Sequence, residues 1–179
     1  MGCNIMIFTE DTYGRDFIKG LVSRLKIEGL IKSEIGVNVR RLAGICNSKM
    51  QRQIKAAAIT HEKIIVIADA DGKPIQEIRK RILYHVPPDL QKIVRTIILR
   101  YEIEEWICIS LGLHITKKPS IELDEYIKKK EKDAKSGYKK YMLPKFVETL
   151  NINRLENYNS FKEFINALSC QPKTIEELS

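Results

Sequence analysis

No apolar run in this chain approaches the roughly 20 residues that a membrane span needs. The opening Met1-Gly2-Cys3-Asn4 also lacks the charged and apolar regions of a secretory leader. A cytoplasmic location is the expectation. The four cysteines, Cys3, Cys46, Cys108 and Cys170, are far apart and form no Cys-x-x-Cys pair, which argues against zinc and for free thiols. His61, His85 and His114 are equally scattered. None stands at metal-ligand spacing to another, so each is read as a surface or satisfied core residue. Glycine is sparse, at 9 residues in 179, while isoleucine and lysine are abundant, a habit shared with thermophilic proteins. The chain has no internal repeat, low-complexity linker or heptad pattern, and no aromatic-rich surface for reading bases.

What is present suffices for one sizeable core with a small appended subdomain: 44% of the residues are hydrophobic. The 31 Lys and Arg outnumber the 23 Asp and Glu, for a net charge of +8. That excess biases the surface toward polyanions, although the lysines are spread rather than packed into one block.

Through the first two thirds, short apolar runs alternate with amphipathic stretches. Asn4 to Thr9, Gly36 to Leu42, Lys63 to Ala68 and Ile93 to Leu99 read as strands, the third apolar enough to be buried on both faces. Between and after them, Thr12 to Leu30, Ser48 to Ile59, Pro74 to Tyr84 and Glu104 to Leu111 read as helices. Such alternation predicts an α/β fold with a mainly parallel sheet. From about Thr116 the character changes. Three further helices are expected at Ser120 to Asp133, Tyr138 to Leu150 and Ser160 to Leu168, with Ser160 and Glu163 forming a capping box at the last.

Chemistry concentrates where strands end. Glu10 closes the first apolar run and Asp69-Ala-Asp71-Gly72 closes the third. Ligands of open α/β sheets bind just beyond the carboxyl ends of the strands. Carboxylates gathered there repel one another unless a cation lies between them, and hard oxygen donors suit Mg²⁺ or Mn²⁺. A third acidic segment, Glu102-Ile103-Glu104-Glu105-Trp106, follows the fourth strand. If Glu102 and Glu104 were both helical they would diverge, at about 100° per residue, so one of them is expected at the metals, Glu104 ahead of Glu102.

Other readings of the Asp-Ala-Asp-Gly turn compete. An EF-hand loop would need glycine at Pro74 and an acid at Lys80. A haloacid-dehalogenase-like phosphatase would use Asp69 as nucleophile, but Lys73 stands in place of its threonine and no later Asp-Asp pair follows. A solvated turn would explain Asp and Gly without any function. Glu10 moves the metal site ahead of these. Lys73, Arg40 and Arg41 are candidates to pair with a substrate phosphate.

At these residues the chain resembles the Toprim-like family known as DUF4276, related to the restriction-associated RloB proteins. The resemblance rests on the order and spacing of Ile7-Phe8-Thr9-Glu10, Asp69 to Gly72, Glu102 to Trp106, the Y-x-K of Tyr138-Lys139-Lys140, and Ser160-Phe161. In that family the first acid is usually followed by Gly, where Asp11 stands here, and the last acid of W-L-L-x-D is replaced by Ser110. The resemblance implies a compact Toprim-like domain over residues 1–115, a helical extension over 116–179 packed on it, and one or two Mg²⁺ or Mn²⁺ ions. Asp69, Asp71 and Glu10 would ligate metal, with Glu10 alternatively a general base, and Glu104 or Glu102 would complete a second site. The implied activity is a Mg²⁺-dependent nuclease, or a related phosphodiester-processing protein acting on DNA or RNA, in defence or repair. A non-catalytic nucleic-acid or partner-binding module is the alternative outside enzymes.

Overall fold

A computed structural model describes residues 3–130 and 137–169. The strands are β1 (Asn4–Thr9), β2 (Gly36–Arg41), β3 (Lys63–Asp69) and β4 (Val94–Leu99), all parallel, in the order β2-β1-β3-β4. The fold is the expected α/β sandwich. Helices α1 (Thr12–Ile27), α2 (Ser48–Ala58) and α3 (Ile75–Tyr84) make the crossovers, α4 (Glu104–Leu111) follows β4, and α5 (Pro119–Lys130), α6 (Ile152–Leu155) and α7 (Asn159–Leu168) come after it.

Each sheet face has its own core, and strand alternation divides the residues between them. Ile5, Ile7, Ile65, Ile67 and Leu99 point to the face covered by Phe17 and Leu21 of α1 and by the carboxyl-terminal helices. Met6, Phe8, Ile64 and Val66 point to the other, against Met50 and Ile54 of α2 and Ile78 and Ile82 of α3. Cover on both faces is why the strands read as continuous apolar runs.

The carboxyl-terminal segment shares the first core. Trp106 of α4 is fully buried, with its ring 5.2 Å from that of Phe161 and 5.4 Å from that of Phe164. Its Nε1–H donates to Ser160 Oγ at 2.9 Å, and that hydroxyl donates to Glu105 Oε1 at 3.4 Å.

This corrects the capping-box expectation. Tyr158 occupies the cap position of α7, makes no side-chain cap bond there, and Ser160 is buried instead. The stretch expected as a helix from Tyr138 to Leu150 is a 3₁₀ segment, Lys140–Thr149, carrying Pro144, which has no N–H to donate. Cys3 is in a disulfide, contrary to the expectation of four free thiols, whereas Cys46 and Cys108 are free. The end of the helix expected to reach Asp133, and Cys170, lie outside the described residues. Among those described, no helix is long and apolar enough to cross a membrane.

Candidate functional site at the ends of β1 and β3

The connection from β1 runs outward to β2, and the chain then returns past β1 to β3 and continues to β4. Crossover direction therefore reverses at the β1–β3 boundary, so α1 lies on one face and α2 and α3 on the other. A crevice opens at such a reversal, and ligands bind there. Glu10 directly follows β1 and Asp69 ends the adjacent β3. The Asp69 backbone N–H donates to Glu10 Oε1 at 2.7 Å, joining the two acids directly.

Asp71 lies in a turn pinned to the β4–α4 junction. Its N–H donates to the Tyr101 carbonyl at 3.1 Å, and the Gly72 N–H donates to the Arg100 carbonyl at 2.9 Å. Both residues are left-handed, with φ of 49° at Asp71 and 78° at Gly72. Asp is among the few side chains that tolerate this region, and backbone strain of this kind clusters at functional sites. A Cβ on Gly72 would also come to 3.3 Å from the Tyr101 ring.

Glu102 precedes α4 rather than lying in it, so the expected helical divergence from Glu104 does not arise. Both side chains are held from elements that follow α4. Glu102 Oε1 accepts the Ser120 N–H at 2.6 Å, and its Oε2 is 3.2 Å from Lys118 Nζ. That ammonium also reaches Asp71 Oδ1 at 3.4 Å. Glu104, 0% exposed, accepts from Tyr138 Oη at 2.8 Å and from Lys140 Nζ at 2.9 Å. Lys140 in turn lies 3.6 Å from Asp11 Oδ2, while Asp11 Oδ1 caps α1 by accepting the Gly14 N–H at 2.7 Å.

The electrostatics show that these acids form one field. Burial, then the neighbouring Glu10, push the Asp69 carboxyl up to about 8; Lys140 opposes this, and Glu104 and Glu102 add to it. Glu10 is also raised, chiefly by burial, with Asp71 and Asp11 contributing and the Asp69 N–H working against them. Burial opposes the charge on Lys140, but Glu104, Asp11 and Asp69 outweigh it and hold the ammonium above its ordinary range. Lys118 is raised as well, first by its hydrogen bond to Glu102.

Among the phosphate candidates, Arg41 reaches the site: its Nε–H donates to the Glu10 carbonyl at 3.3 Å. Arg40 is exposed one position earlier on β2, and Lys73 is exposed in the turn beyond Gly72. The residues the sequence reading did not place here are Asp11, Lys118 and, as contacts of Glu104, Tyr138 and Lys140. The last two are the Y-x-K of the family resemblance. Lys118 carries no local signal, because 47 residues separate it from Asp71.

Carboxylate oxygens of this kind fit a hard divalent cation by donor type. Among the described residues, no three Asp, Glu, His or Cys side chains stand close enough together to enclose one ion unmoved. Asp71, with a side chain 63% exposed, is near enough for its charge to act on Glu10. Compared with known proteins, the chain matches no family model, no curated protein and no solved structure, so the geometry of its own site carries the functional argument.

Proposed function

We propose that this protein is a Mg²⁺- or Mn²⁺-dependent hydrolase of phosphodiester bonds in nucleic acid, serving defence or repair. The observation that carries the reading is the direct junction of Glu10 and Asp69 at the β1–β3 reversal, where burial first, and then the charge of Glu10, push Asp69 up to about 8. A divalent cation bound there relieves that repulsion and supplies Lewis-acid polarisation of a phosphoryl oxygen. Glu10, Asp69 and Asp71 would hold it. As the alternative to ligation, Glu10, raised chiefly by burial, would accept a proton from an attacking water. Glu102 and Glu104 would bear on a second position, each steered by the lysine that contacts it. Arg41, Arg40 and Lys73 would neutralise substrate phosphates around the rim.

One observation favours a second reading. Lys118 and Lys140 already pair with Asp71, Glu102, Glu104 and Asp11, an arrangement that is also self-sufficient as the charged floor of a binding module. Cleavage assays separate the two. With Mn²⁺ and a panel of DNA and RNA substrates, the wild-type protein is expected to cut at least one, EDTA to stop it, and Asp71→Ala to slow it by about 100-fold or more, because metal stabilisation is worth several kcal/mol. Salt-dependent binding without cleavage across the panel would give the binding module the lead.

A further inference from the structure

The edge strand β4 forms the floor of a groove walled by α3 and α7. The groove consists of two cavities of about 510 and 440 Å³ that share Arg79 and Glu163. The first, toward the amino end of the strand, is lined by Lys63, Arg79 and Arg95; the second, toward the carboxyl end, by Arg79, Arg100 and Tyr158. Among the described residues, the only acids on these walls are Glu163, which pairs with Arg79 Nη2 at 3.2 Å, and the buried Glu105, which accepts the Arg100 and Tyr101 N–H groups.

Among the described residues, Lys63, Arg95 and Arg100 have no acid paired with them in this groove. Burial and the nearby Arg95 lower Lys63, whose ammonium is held by the carbonyls of Ala167 at 2.9 Å and Ser169 at 2.6 Å. Arg79 Nε is buried and finds no acceptor among the described residues. The groove ends at Arg100, whose guanidinium lies 5.2 Å from the centre of the Tyr101 ring. That ring packs beside Gly72, which follows Asp71, so the carboxyl end of the groove lies near the turn that carries Asp71.

We infer that this groove seats one strand of nucleic acid and leads its backbone to the β1–β3 carboxylates. The inference deepens the nuclease reading and rests on it for the nature of the ligand. Single-strand sites combine a cationic groove with aromatic rings on which bases stack, and here Tyr158 stands in the wall of the second cavity. Arg95 lines the first cavity, Arg100 the second and Arg79 both, so cationic side chains follow the groove along its length. Flanking helices, each about 10–12 Å across with side chains, would stop a duplex before it reached the floor. An arriving phosphate would meet the Arg79 guanidinium in exchange for or beside Glu163.

The test is fluorescence anisotropy with a labelled oligothymidylate of about 12 nucleotides. It is carried out in EDTA so that binding is read without cleavage. The variants are Arg95→Gln/Arg100→Gln, the charge-conserving Arg95→Lys/Arg100→Lys, and Lys19→Gln on the exposed face of α1. Melting curves confirm that each is folded, since Arg95 and Arg100 are exposed. The glutamine pair is expected to weaken binding by about tenfold or more and to flatten the log Kd against log salt slope by about 0.7 per lost phosphate contact. The lysine pair should keep the slope, and Lys19→Gln should change affinity less than about twofold. An equal loss in Lys19→Gln, stronger competition by duplex than by single strand, or no binding by the wild type would overturn the inference. Binding of the expected kind with no cleavage anywhere would remove the nuclease reading and leave the groove standing.

Discussion

Asp69 and Lys140 show opposite consequences of burying charge. Asp69 keeps its proton in the folded protein up to about pH 8, whereas an unfolded chain releases it near its ordinary value of about 4. Between those values the folded state holds the extra proton, so this group's contribution is complete below about pH 4 and is lost as pH rises through about 8. Melting temperatures in EDTA should therefore fall from pH 5 to pH 9, and Asp69→Asn should flatten much of that fall. Glu10 and Glu105 are raised in the same direction, so some slope should remain. Lys140 is different, because Glu104 beneath it has no exposure to water. In Lys140→Met, that carboxylate keeps only Tyr138 among the described residues, and urea unfolding should show a loss of about 3–5 kcal/mol. Adding Glu104→Gln should restore part of it. If Lys140→Met unfolds like the wild type, the ion pair is not what holds Glu104.

At the scale of elements, the turn between β3 and α3 depends on two left-handed residues and a ring. Gly72→Ala would pay the left-handed penalty of about 1–2 kcal/mol and press a methyl group on Tyr101. Chemical denaturation should register that loss, and the metal-dependent rise in melting temperature should shrink with it because Asp71 moves. Unchanged stability would show that the turn relaxes freely. The β-strands and the first three crossover helices were legible to within a few residues, since apolar runs and helical periods are local properties. α1 ends at Ile27 rather than Leu30, where Gly29 takes φ of 73°. The 3₁₀ segment was not legible: its apolar residues keep helix-like spacing, and Pro144 with the packing on α1 decides the tighter winding. Ser160 was misread for a related reason. A capping box is a local pattern, while the partners that claimed its hydroxyl, Trp106 and Glu105, come from 54 and 55 residues away.

The whole molecule couples a basic exterior, with its net charge of +8, to an acidic notch at one end of the sheet. Phe161 and Phe164 complete the same core as β1 and α1, so the carboxyl-terminal helices are expected to unfold together with the sheet. Phe161→Ala should cost about 3–5 kcal/mol and leave one cooperative transition by both near- and far-ultraviolet circular dichroism. Two separated transitions would mean that the extension is a domain of its own. Mass action gives the notch a global readout: Mg²⁺ or Mn²⁺ should raise the melting temperature of the wild type and not of Asp69→Asn. An equal rise in both would end the metal assignment.

The sequence by itself determined the parallel α/β architecture, because continuous apolar strands separated by amphipathic helices can be buried only between two helical layers. It also marked Glu10, Asp69 and Asp71, since acids that close apolar strands stand out against their neighbours. Tertiary structure decided which acids meet and what meets them. Strand order put β1 beside β3, and so set Glu10 on the Asp69 N–H. Lys118 and Lys140 entered the notch from segments after α4, where an exposed lysine and a site lysine look alike in sequence. Glu102 and Glu104 became a buried pair of anchors for the same reason: burial and ion pairing depend on what the folded chain stacks against a residue, and no local pattern records that.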